Sequence, residues 1–122
     1  MIKFSILLRR RPGTTHQDFV DYHRNHHAPL FMSLPVVKQH VRRYVQQHTI
    51  TATMPGLPPT TIDGITELWF DDVEAIAAVF TAESYLETIR PDEAKFLDLE
   101  HWRRRHQQRA RQCHYRTRGH QP

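Results

Sequence analysis

The order of apolar patterns predicts an α+β fold. It is a ferredoxin-like βαββαβ unit, with an antiparallel four-stranded sheet and two helices on one face. Two observations carry this. Segments with the two-residue period of strands recur along the chain, and capped segments with helical spacing separate them. The chain has 122 residues, 39% of them hydrophobic, which suits one domain with a modest core.

Each element has its own signal. Ile2, Phe4, Ile6 and Leu8 alternate with Lys3, Ser5 and Leu7, which is a strand. Arg11-Pro12-Gly13 breaks it. Thr15-x-x-Asp18 then fits a capping box, with Asp in place of Glu. Phe19, His23, His26 and Leu30 form one helical stripe, and Val20, His27 and Phe31 a second, about 100° round. Pro29 lacks an N–H and must kink or thin this helix, and Pro35 ends it. From His40 to Thr51 the β-branched and aromatic content rises, giving a long strand. Met54 to Pro59 is a proline-rich loop. Ile62 to Phe70 is the best strand in the chain. Asp71-Asp72 caps a helix from Val73 to Phe80, Thr81 to Pro91 reads as helical turns, and Ala94 to Trp102 as a short last strand.

Charge is unevenly distributed. The chain carries 17 Lys plus Arg against 13 Asp plus Glu, formally +4. Residues 101–122 hold seven arginines and no lysine or acid, so this tail carries +7 and residues 1–100 carry −3. The chain therefore divides into a domain over 1–100 and a basic C-terminal tail over 101–122. Such a tail is expected to be a solvated end, and a nucleic-acid role is not expected without a recognition motif. No apolar run reaches the length of a membrane span, and no signal peptide is expected. The single cysteine, Cys113, excludes an intrachain disulfide and points to a cytoplasmic setting.

The strand Ile62–Phe70 is apolar on both faces, Leu68 and Phe70 on one, Ile65 and Trp69 on the other. Helices cover only one face, so a second cover is needed, and a second copy of the chain supplies it most simply. A homodimer with facing sheets around a pocket is the expectation.

Several residues suit chemistry. Imidazole can both take and give a proton near neutral pH, and His27 lies just before the Pro29 kink, so it is the first acid/base candidate. Glu67 lies between Ile65 and Trp69 on one strand face, where burial is expected to raise its pKa; a structural ion pair with Arg43 is the alternative. Asp63 shares that face, or serves the strand edge as a turn residue. Tyr44 and His48 share a parity and can line the pocket, while Trp69 forms an aromatic wall or fills core. Tyr22 and His26 complete the expected ligand-binding set. His23 and His27 have the i,i+4 spacing of a shared metal, but no third ligand is indicated, so no metal is expected. No Gly-rich phosphate loop exists, so no nucleotide cofactor is expected.

Arg10-Arg11-Pro12-Gly13, Tyr22-His23-Arg24-Asn25-His26-His27-Ala28-Pro29-Leu30, Arg43-Tyr44-Val45-Gln46, Asp63 to Phe70 and Asp92 to Asp98 occur in that order. Over residues 1–100 this set resembles the EthD family of dimeric α+β barrel proteins. The resemblance implies that dimeric barrel and a small, often aromatic or lactone ligand. It also implies acid/base chemistry without a cofactor, and it places the family's His-Ala-Pro histidine on His27. The Arg/His/Gln-rich tail departs from the apolar last strand of such relatives. The expected function is a small cofactor-independent lyase, isomerase or cyclase. His27 would move the proton, and Glu67 or Asp63 would be its partner. Two alternatives are a non-catalytic accessory ligand-binding protein of an ether-degrading oxygenase system and a cofactor-free monooxygenase.

Overall fold

The computed structural model of the chain describes residues 1–50 and 55–100. Among the described residues the sequence signals above sort into three strands and five α-helices. β1 (Ile2–Leu8) leads through a tight turn into α1 (His16–Tyr22). Gly13 takes φ +87 there, a conformation natural to glycine. The predicted capping box is present: Thr15 accepts from the Asp18 N–H at 3.0 Å, and Asp18 accepts from the Thr15 N–H at 3.0 Å.

Pro29 acts as expected, and the device is specific. The helix widens into a π-helical turn over His23–His27, and α2 (Ala28–Ser33) continues from it with Pro29 in its first turn. The Ala28 N–H reaches back five residues to the His23 carbonyl. This widening relieves the crowding that a proline ring brings to the turn before it. The same device recurs later. A second π-helical turn, Tyr85–Ile89, precedes α5 (Arg90–Phe96), Pro91 lies in its first turn, and the Arg90 N–H bonds the Tyr85 carbonyl.

Pro35 does not end the helical region. Leu34 is extended, as a residue before proline prefers, and Pro35 opens a further helix, α3 (Pro35–His40). The long strand expected from His40 is correspondingly shorter, β2 (Arg43–His48). β3 (Gly64–Phe70) follows, then α4 (Val73–Phe80), capped by Asp72 accepting from the Ala75 N–H at 2.8 Å.

The sheet is antiparallel in the order β1-β3-β2. Phe4 pairs with Leu68 and Tyr44 also pairs with Leu68, so these three share the face that the helices cover. Lys3, Trp69 and Arg43 form the matching row on the other face. The expected fourth strand over Ala94–Trp102 is absent among the described residues. Ala94 to Phe96 complete α5, and Leu97 makes a single antiparallel bridge to Arg10. Trp102 and the tail lie outside the described residues.

The core has two clusters. Phe31, Leu34, Val37, Leu68, Phe70, Val79, Tyr85 and Ile89 form the larger, and Leu8, Phe19, Val20 and Phe96 the smaller. Gly64 permits close packing in the second. A Cβ there would meet the Phe19 ring at 2.9 Å. No described helix is long and apolar enough to cross a membrane.

Candidate functional site

A cavity of about 520 Å³ lies between the sheet and the helices, at the seam of the two core clusters. Its walls include Phe4, Phe31, Leu68 and Phe80, and its polar groups include His27, Tyr44, Thr66, Tyr85 and Glu93. Apolar walls with a few converging polar groups are what a small-molecule site needs.

His27 is the last residue of the first π-helical turn. Its Nδ1 lies 2.9 Å from Asp92 Oδ2. Asp92 is itself buried, and its other oxygen accepts from the Tyr22 hydroxyl at 2.5 Å. A carboxylate accepts, so Nδ1 donates in this bond, and in the neutral imidazole Nε2 is then the acceptor. Among the described residues every buried side-chain nitrogen or oxygen has a partner. The His27 side chain is 12% exposed, and the residue borders the cavity. The Phe96 ring packs against the imidazole at 4.9 Å and Phe31 stacks at 6.3 Å, which fixes its plane.

Beside it lies a buried polar chain. His23 is fully buried, with Nδ1 3.0 Å from His48 Nε2 and Nε2 3.2 Å from Thr66 Oγ1. Burial, with His27 and His48 adding to it, pushes the His23 imidazole down to about 3. Gln46 ties the turn to β2. Its Nε2 donates to the His23 carbonyl at 2.8 Å and to the Tyr44 hydroxyl at 2.7 Å. Burial pushes the Tyr44 phenol up to about 12. Burial also raises the Tyr22 phenol to about 12, helped by Asp92.

Of the residues the sequence singles out, His27 and Tyr44 border this cavity together. Glu67 and Trp69 do not, because they stand on the opposite face of β3. Glu67 accepts from Gln47 and pairs with Lys3 at 2.6 Å. That ion pair, more than burial, sets its titration, so its carboxyl lies below the ordinary value rather than above it. Lys3 is its partner where Arg43 was expected. Arg43 instead lies 4.9 Å over the Trp69 ring, with Lys3 at 5.6 Å.

Asp63 is engaged elsewhere too. It accepts from the Arg10 N–H at 2.8 Å, from the Arg10 guanidinium at 2.9 Å and from His16 at 2.8 Å. Burial works to raise it, and these hydrogen bonds prevail and hold it below the usual carboxylate value. His48 points to His23, and Tyr22 to Asp92. His26 is exposed and stacks on the Tyr22 ring at 5.1 Å.

The partner of His27 is thus Asp92, which sequence reasoning passed over. A signal existed. Asp92 and Phe96 stand four apart after a proline, so one helical face offers both a carboxylate and a ring. No group of three or more potential metal ligands gathers among the described residues.

The EthD domain family matches residues 11–100. The chain belongs to the EthD family. A crystal structure of an ethyl tert-butyl ether D (EthD) family protein from Bacillus halodurans has the same fold. Its TM-score is 0.58 at 21% identity, over 78% of this chain and 86% of that one. Curated proteins give no match. The EthD assignment agrees with an α+β architecture built on a small antiparallel sheet.

Proposed function

We propose that this EthD-family protein is a cofactor-independent acid–base enzyme of the lyase, isomerase or cyclase kind. Its substrate is a small apolar molecule, aromatic or lactone-like, held in the cavity. One observation carries the reading: Asp92 holds the His27 ring by Nδ1, and His27 borders the cavity, so the reading gives Nε2 to the substrate. In this arrangement Nε2 takes a proton from the substrate, and Asp92 stabilises the imidazolium that forms. The Tyr22 hydroxyl keeps Asp92 in place. Tyr44 and the aromatic walls orient the ligand.

The test uses 5-nitrobenzisoxazole, a small aromatic that opens when a base removes its one acidic C–H. The wild-type protein accelerates the opening with saturation. His27→Ala brings the rate to the buffer background, and Asp92→Asn lowers it about a hundred-fold, within the usual range for a positioned base. Equal rates for wild type and His27→Ala overturn the reading.

The printed name of the Bacillus halodurans relative favours a second reading, an accessory ligand binder of an ether-degrading system. That reading predicts tight retention of a small apolar ligand and no turnover. Both readings include a homodimer across the open face of the sheet, where Val45, Ile65 and Trp69 are half-buried and Leu7 is exposed. Analytical ultracentrifugation tests this, a dimer being expected and a monomer overturning it.

A further inference from the structure

The cavity contains a second titratable group that a lone base leaves unused. Glu93 follows Asp92 on α5, and successive helical residues point about 100° apart. Asp92 therefore backs His27 from behind the cavity wall, while Glu93 enters the cavity. There its carboxyl hydrogen-bonds the Tyr85 hydroxyl. The Arg90 guanidinium lies 5.7 Å over the Tyr85 ring and 3.8 Å from the other Glu93 oxygen. Burial raises the Glu93 carboxyl; Tyr85, Arg90 and His27 act against this, and Asp92 adds to it.

Counting protons shows what this pair can do. A tyrosine and an ionised carboxylate have one exchangeable proton between them, and their own hydrogen bond uses it. A tyrosine and a carboxylic acid have two, so one is left to donate. A cavity with His27 Nε2 as acceptor and this pair as donor has both groups that enolisation needs.

Resting on the acid–base reading above, we infer that Glu93, with Tyr85, is the acid that works with His27. The substrate is then an apolar carbonyl compound with an acidic C–H next to its carbonyl. His27 Nε2 takes that proton. The C–H electron pair becomes the C=C bond of the enol, and the carbonyl π pair moves to oxygen, which takes the proton of the Glu93 carboxyl. Return of a proton from His27 to carbon, and of the enol proton to Glu93, restores both groups. Phe4, Phe31, Leu68 and Phe80 offer the apolar body of such a molecule its contact surface.

The test compares two probes on the same variants. One is α-proton exchange of 2-tetralone in D₂O, followed by proton NMR, which needs acid and base. The other is opening of 5-nitrobenzisoxazole, whose nitrophenoxide leaves without an acid. Glu93→Gln and Tyr85→Phe lower tetralone exchange about a hundred-fold and benzisoxazole opening far less, which also reports that the site is folded. Equal losses on both probes, or wild-type opening of the benzisoxazole with no tetralone exchange, overturn the inference and leave the base reading standing. A wild-type protein that does neither overturns the base reading, and the inference with it.

Discussion

On the covered face of β3, Thr66 bonds the buried His23, and Leu68 packs in one cluster with Phe31 and Tyr44. One residue along the same strand, Glu67 and Trp69 face the other way and are held by Lys3, Gln47 and Arg43. The polar groups of the covered face are neutral and satisfy one another: Thr66, His23, His48, Gln46 and Tyr44 form hydrogen bonds with no ion pair among them. The open face keeps full charges and pairs them. Thr66 and Glu67 are equally buried, each 7% exposed, so what separates the two faces is the half-exposed Lys3 that reaches Glu67 from solvent. An unpaired ion under the helices would carry a large desolvation cost, which is why the buried Asp92 is held by both Tyr22 and His27, whereas Lys3 is half-exposed and stays hydrated. Chemistry that needs a neutral base in an apolar space therefore belongs to the covered face.

The contrast breaks most easily through packing. Leu68→Ala on the covered face costs about 3 kcal/mol, the usual range for a fully buried leucine. Ile65→Ala on the open face costs about 1 kcal/mol or less in a free protomer, where the site is half-exposed, and approaches the Leu68→Ala cost in the dimer proposed above. Urea unfolding of the two variants measures both. Equal costs would show that the open face is buried in solution, which is the dimer's signature.

Acid sharpens the contrast. Folded His23 stays neutral down to about pH 3, whereas the unfolded chain protonates it near its ordinary value of 6.5. The unfolded state then binds more protons between those values, so stability falls as pH drops below 6.5. At pH 5 the loss from His23 is about 2 kcal/mol. His48, also lowered by burial, adds to it in the same direction. Glu67 behaves oppositely in kind and later in pH. Its depressed carboxyl contributes stability above the ordinary value of 4.5, and that contribution is lost only as pH falls through its lower folded value. Unfolding free energies from pH 8 to 4 are expected to decline from about pH 6.5 in the wild type, and less steeply in His23→Gln. An unchanged slope in that variant would remove His23 as the cause.

The smallest effect belongs to Lys3→Met. It removes the ion pair and leaves Glu67 its Gln47 hydrogen bond, so the melting temperature drops less than for either packing variant. A drop as large as that of Leu68→Ala would mean that Lys3 is buried along with Glu67, as it would be under a covering second copy.

Much of this fold was legible in the sequence because the signals were local. Alternation along Ile2–Leu8 and the run to Phe70, the Thr15 box and the Asp72 cap depend on neighbours a few residues apart. Pro29 announced a disturbed helix, and the π-helical turn is its form. The site was less legible because it depends on pairing across long separations. Sequence alone puts Tyr44 and Glu67 in one pocket, but strand register sends Tyr44 beside Leu68 and Glu67 to the opposite face. Spacing within one strand gives parity, not which parity meets the helices. Asp92 stands 65 residues from His27, and no local pattern ties the two. The fourth strand failed for a similar reason. Ala94 to Leu97 has apolar residues that suit a strand, yet α5 continues through Phe96 to bring that ring against His23 and His27.

The two π-helical turns act as angular spacers. Each amounts to an α-helix with one residue inserted, and one residue is about 100° of helical rotation. Deleting a single residue between His23 and His27 would restore an ordinary helix and swing its faces relative to one another by that angle. Either His27 and Phe31 would turn from Asp92 and the core, or Phe19, Val20 and His23 would turn from theirs. The length of this segment is thus fixed to the residue, and natural relatives that keep the His27–Asp92 pair should tolerate substitution in the turn far better than insertion or deletion.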